Sequence, residues 1–231
     1  MRFGRMRNLV SRMDQSTVAH AVVVVLVCGL SIIMGLPLLA LFGLGFYGFK
    51  RIGLGRPASW PRELLLGLAV SLVVFLIARS LLAPLTDLIV AGLKLEPGVK
   101  VSEELKGNLG LYIEYMVLSV TTAGFFEEFI FRGYLLNRIA DWIPGRAGRW
   151  ILSVLLVSIV FGIHHITHGM SAVIFAFLMS LLFGGAYLAL GQRLWPIMMA
   201  HAFYDVVTIT LAFVGWLPVL TKWISRLYGL Q

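Results

Sequence analysis

Several stretches of this chain run for roughly 18 or more residues with almost no charge, among them "AVVVVLVCGLSIIMGLPLLALFGLGFYGF". Runs of that length suffice to cross a hydrocarbon layer about 30 Å thick as helix. They do not alternate polar with apolar residues, as the strands of a membrane barrel would. Only 13% of the 231 residues are charged and 59% are hydrophobic, whereas about a quarter of an ordinary soluble domain is charged. The chain has too few polar groups to cover a water-facing surface. The expected fold is all-α, a polytopic transmembrane helical bundle.

Six main hydrophobic segments divide the chain: about Val18 to Phe49, Leu64 to Leu93, Leu109 to Gly124 continuing to Ala140, Trp150 to His165, Ala172 to Leu190, and Pro196 to Val214. Gly35 and Pro37 break the first and Pro84 the second, which gives six to eight membrane segments. No linker, repeat or low-complexity tract divides residues 1–231, so a single membrane domain is expected. The C-terminal "LPVLTKWISRLYGLQ" has the aromatic and basic residues of a helix lying in the interface.

The formal charge of +8 comes from short basic stretches between apolar runs, such as "MRFGRMRNLVSR" and "KRIGLGRP". Cytoplasmic loops carry Lys and Arg in this way. The near-neutral loop "KLEPGVKVSEELKGN" is assigned to the outer side. No basic aromatic platform stands apart from the membrane segments, which argues against nucleic acid as a partner. The expected partners are the lipid bilayer and a peptide or protein held at it. Cys28, the single cysteine, has no activating charge nearby and reads as a packing residue.

Ionisable residues inside such segments need partners. Glu127 and Glu128 interrupt "TTAGFFEEFIFRGYLL", and Arg132 stands four residues after Glu128, on the same helical face. Glu127 points about 100° away from Glu128. "FGIHH" ends the fourth segment with Phe161 and His165 four apart, and "HAFYD" opens the sixth with His201 and Asp205 four apart. Three apolar segments each carrying proton-exchanging groups are expected to converge on one polar cavity. A carboxylate and imidazoles there can activate water and stabilise an oxyanion. Two histidines and a glutamate (Glu127, His165 and His201) would also serve as a zinc ligand set with an open position. No cofactor is fixed by this reading: a divalent metal such as zinc, or none, fits it. Serine or cysteine nucleophile chemistry lacks its setting, and HExxH is absent.

"EEFIFR", "FGIHH" and "HAFYD" resemble the EExxxR, FxxxH and HxxxN or HxxxD motifs of the CAAX-processing and bacteriocin-processing (CPBP, or Abi) membrane endopeptidases. The resemblance covers about residues 109–214, and its three motifs are specific jointly rather than singly. It implies an intramembrane endopeptidase, metal-dependent or glutamate-dependent, with Glu127 as general base and His165 helping to activate the water. His201 and Asp205 would stabilise the oxyanion or orient its donors, with Glu128 and Arg132 in support. Asp205 replaces the asparagine of the eukaryotic prenyl-protein proteases, and an ionised carboxylate cannot donate to an oxyanion. Asp205 would therefore be protonated, orient His201 or bind metal.

A short chain without organellar targeting points to a bacterial plasma membrane, which makes prenylated substrates less expected. The rival readings are a proton- or ion-coupled transporter and a non-catalytic membrane immunity or partner protein. For Glu127 and His165 to meet, the chain is expected to bend at Gly124, leaving Phe125 to Ala140 as a separate short helix. Arg79 and Asp87 could pair with the site or with each other, Arg79 being rather expected to snorkel or pair locally, and Glu114 and His20 are expected at interfaces. His164 and His168 rank below His165.

Overall fold

A computed structural model describes residues 52–96, 101–143 and 148–229. Seven helices make up this part of the chain: α1 (Trp60–Gly92), α2 (Val101–Leu105), α3 (Leu109–Trp142), α4 (Arg149–His164), α5 (Met170–Ala189), α6 (Leu194–Phe213) and α7 (Trp216–Leu227). No strand occurs among the described residues. The first apolar run, with His20 and Cys28, lies outside them, as does the expectation that it crosses the membrane.

Among the described residues, α1, α3, α5 and α6 are long and apolar enough to span a bilayer. The fourth expected segment is helical as α4, but its 16 residues fall short of a full crossing by length alone. The described chain thus supplies four spans and one shorter apolar helix, fewer than the expected six to eight segments. Large apolar side chains cover the outside of these helices, including Leu72, Leu76, Ile151 and Ile159. Their exposure fits lipid as the surrounding medium.

The helices start where local chemistry permits. Ser59 caps α1, its hydroxyl accepting from the Arg62 N–H, and Pro61 sits in the first turn, where its missing N–H costs nothing. Asn108 caps α3 by accepting from the Leu111 N–H. Gly215, at φ +77°, turns the chain between α6 and α7, a conformation that glycine adopts without penalty.

Helix α6 is the centre of the bundle. It packs against α1 on one side and the middle of α3 on the other, while α4 and α5 form a tight pair beside them. Gly124 lets α3 approach α6 closely: a Cβ there would lie 2.7 Å from the Cβ of Ala202. Gly184 does the same for α5 against Val154 of α4, while Gly185 faces open space.

The expected break at Gly124 does not occur. Helix α3 is continuous for 34 residues, and Phe125 to Ala140 is not a separate helix. The backbone widens instead into two π-helical stretches, Ser119–Glu127 and Phe129–Leu136, with Glu128 between them. Gly124 serves contact with α6 rather than a turn, and the wider winding does not interrupt the helix. Such π segments are rare and frequently occur at functional sites. The Asn137 amide secures the second one, donating to the carbonyls of Arg132 (3.0 Å) and Gly133 (2.8 Å) and to the Tyr187 hydroxyl (3.0 Å).

The C-terminal segment forms α7 as expected. Trp216, Val219, Trp223 and Leu227 make an exposed apolar row along it, while Ile224 and Ser225 face the bundle. Such a row suits the boundary between headgroups and acyl chains.

Candidate active site

Glu128 is fully buried, and its Oε1 accepts from two directions. Arg132 Nη1 donates to it at 2.9 Å and His201 Nδ1 at 2.7 Å. The pairing of Glu128 with Arg132 four residues on is the one expected from the helix face. The histidine of α6 is added to it, so one carboxylate oxygen ties the third and sixth helices together. A buried carboxylate is tolerable here because it is both paired and hydrogen-bonded.

Arg132, also fully buried, extends the network to α5 by donating to the hydroxyl of Ser180 (3.1 Å) and to its carbonyl (3.4 Å). Its guanidinium lies over the Phe161 ring, 4.8 Å from the centroid. Phe183, from the next turn of α5, stacks on the His201 imidazole at 4.9 Å and 30°. Ser180 and Phe183 were not legible as site residues. One is a serine among thirteen and the other a phenylalanine among fifteen, and only helix packing turns them inward.

Glu127 diverges from Glu128 and lies half-buried, within electrostatic reach of His201, Asp205 and Arg132. No side-chain hydrogen bond or ion pair to other described residues holds it. His165 terminates α4, and its Nδ1 donates to the Phe161 carbonyl at 2.9 Å, on the face that the spacing predicts. That bond leaves Nε2 as the free ring nitrogen. His165 also lies within electrostatic reach of His201. His164 packs edge-on to His165 at 5.4 Å, whereas His168 is exposed in the turn after α4.

His201 has Nδ1 on Glu128 and Nε2 at 3.8 Å from Asp205 Oδ2. The latter is an ion-pair separation rather than a hydrogen bond. Glu128 therefore orients the imidazole, a role the sequence reading gave to Asp205 as one alternative.

The second departure is Arg79. It does not snorkel, because its guanidinium reaches α6 and donates from Nη2 to the Tyr204 hydroxyl (3.0 Å) and Thr208 Oγ1 (3.2 Å). Glu114 is exposed and takes no part in the site.

Among the described residues, no group of three His, Cys, Asp or Glu side chains comes together in a way that could hold a metal ion. Glu127, His165 and His201 are thus not gathered as a ligand set, and no chemical step is assigned to zinc.

Residues 110–207 match the family model described as type II CAAX prenyl endopeptidase Rce1-like. Neither a curated protein nor a solved structure matches the chain significantly. The matched stretch begins at the start of α3, ends within α6, and contains all three motifs together with Ser180 and Phe183. Motifs, their order and the buried pairing agree with that match, so residues 110–207 of this helical membrane protein resemble the CAAX protease family.

Proposed function

We propose that the protein is an intramembrane endopeptidase that hydrolyses a peptide bond of a membrane-associated protein or peptide in the bacterial plasma membrane. The observation that carries this reading is the division of labour between adjacent glutamates. Glu128 Oε1 is held by Arg132 and His201, while Glu127, one residue earlier, has only electrostatic neighbours and is free to exchange a proton.

In the proposed reaction Glu127 takes a proton from a water molecule that His165 Nε2 helps to align. The water oxygen bonds to the carbonyl carbon, and the carbonyl π electrons move onto oxygen. His201 Nε2–H donates to that oxyanion; with Nδ1–H committed to Glu128, Nε2 bears hydrogen in the imidazolium form. The carboxylates of Glu128 and Asp205 on either side balance that charge. Collapse of the intermediate breaks the C–N bond, and Glu127 returns its proton to the leaving amine. Asp205 acts as a counter-charge and not as an oxyanion donor.

The test is a comparison of membrane peptides from cells carrying the wild-type chain with those carrying Glu127→Gln, a near-isosteric change that removes the base. New N-termini that appear only with the wild type identify substrate and bond together. Identical peptide profiles from two well-inserted proteins would leave the transporter and immunity-partner readings standing instead.

A further inference from the structure

The buried cluster around His201 has a charge problem that its family motifs do not solve. Glu127, Glu128 and Asp205 bring three carboxylates within reach of one imidazole. The motif residues supply one fixed cation, Arg132, which is committed to Glu128 and Ser180. Uncompensated charge is expensive inside a membrane protein. A second arginine comes from α1, 31 residues before the family-matched stretch (110 minus 79).

Arg79 lies in a π-helical turn of α1, Ala78–Leu82, just before Pro84. Its guanidinium sits among three aromatic rings, 5.8 Å from Phe75, 6.0 Å from Phe175 and 5.7 Å from Tyr204. Nη2 bridges Tyr204 and Thr208, one helical turn apart on α6. Asp205 lies between these two in sequence and feels Arg79 electrostatically. Its other charged neighbours are His201 on the same helix and Glu127 and Glu128 on α3.

We propose that Arg79 is a positioning residue of the site: anchored on Tyr204 and Thr208, it supplies the cluster's second fixed cation and holds the turn of α6 that presents His201 and Asp205. This rests on the hydrolase reading for its kinetic consequence, but not for its structural one. Arg79 touches no reacting atom. It acts through Asp205 and through the angle at which His201 meets the scissile bond.

The test uses the full chain in lipid nanodiscs, with a peptide spanning the bond most strongly cleaved by the wild type in the membrane comparison as substrate. Arg79→Met is expected to lower kcat about 10- to 100-fold while KM stays within about twofold, as for misplaced catalytic groups. Arg79→Lys, which keeps the charge without the fork, should fall between the two. Tyr204→Phe with Thr208→Val, which removes both acceptors and little volume, should lower kcat in the same sense. Independently of turnover, the rate of carbethoxylation of His201 by diethyl pyrocarbonate, followed by mass spectrometry, should change several-fold in Arg79→Met.

A kcat within twofold of wild type, or a rise in KM with kcat unchanged, overturns the proposal. So does Arg79→Lys behaving like Arg79→Met, or an unchanged His201 modification rate. Should Arg79→Met not insert, the Tyr204 and Thr208 double variant decides by the same criteria. If the wild type cleaves nothing, the hydrolase reading fails, and the modification rate alone decides the role of Arg79.

Discussion

His201 on α6 donates from Nδ1 to Glu128 on α3 at 2.7 Å, and that bond orders the site. Glu128 Oε1 simultaneously accepts from Arg132, so the carboxylate is anchored to both helices through one oxygen. The two glutamates, adjacent in sequence, are thereby given different work.

Substitution should separate them. Glu127→Gln is expected to abolish turnover, by at least about 100-fold as for loss of a general base, with the thermal unfolding midpoint nearly unchanged. Glu128→Gln should lower activity and also destabilise the fold, because removing one partner leaves the buried Arg132 uncompensated at a cost of about 3–5 kcal/mol. Unfolding curves in detergent alongside turnover check both. Equal stability losses in the two variants would contradict the assignment.

Ser180 offers a milder probe. Its buried hydroxyl accepts from Arg132 at 3.1 Å. Ser180→Ala should cost about 1–3 kcal/mol, the usual range for a hydrogen bond to a charged group. Ser180→Gly should lose at least as much, and Ser180→Thr should recover part of it. Denaturation midpoints of the purified variants give the ranking.

Gly124 and Ala202 make a reciprocal pair. A Cβ at position 124 would come within 2.7 Å of the Ala202 Cβ. Gly124→Ala should therefore destabilise by about 1–3 kcal/mol through overpacking, with a parallel loss of activity as α3 and α6 move apart. Adding Ala202→Gly should restore much of both. A double-variant cycle that shows simple additivity would remove this contact from the account.

Metal dependence is open to direct measurement. Since the described donors do not assemble into a ligand set, dialysis against chelator is expected to leave turnover within about twofold, with no stoichiometric metal in the purified protein. Loss of activity that returns with zinc would contradict this, because ligation would then require rearrangement of His165 and His201.

The row on α7 predicts its own depth. Trp216 and Trp223 are 69% and 60% exposed on the same side of the helix. Their fluorescence should be quenched strongly by lipids brominated near the headgroup and weakly by lipids brominated at the chain end. The reverse order would place α7 elsewhere.

Much of this protein could be read from its residues in order. Hydropathy alone implies a helical membrane chain, since only internally hydrogen-bonded helices of that composition are stable in lipid. Spacing of four put Glu128 with Arg132, and Phe161 with His165, because helical periodicity is local. What the order of residues left undecided were contacts between helices. The partnership of Glu128 with His201, the inward turn of Ser180 and Phe183, and the reach of Arg79 to Tyr204 and Thr208 each depend on how four helices lie against one another. The bend expected at Gly124 shows the same limit. A glycine in sequence permits either a turn or a close approach, and the choice fell to Ala202 on a helix some eighty residues away. Local periodicity specified which groups share a face; long-range packing decided which of them meet.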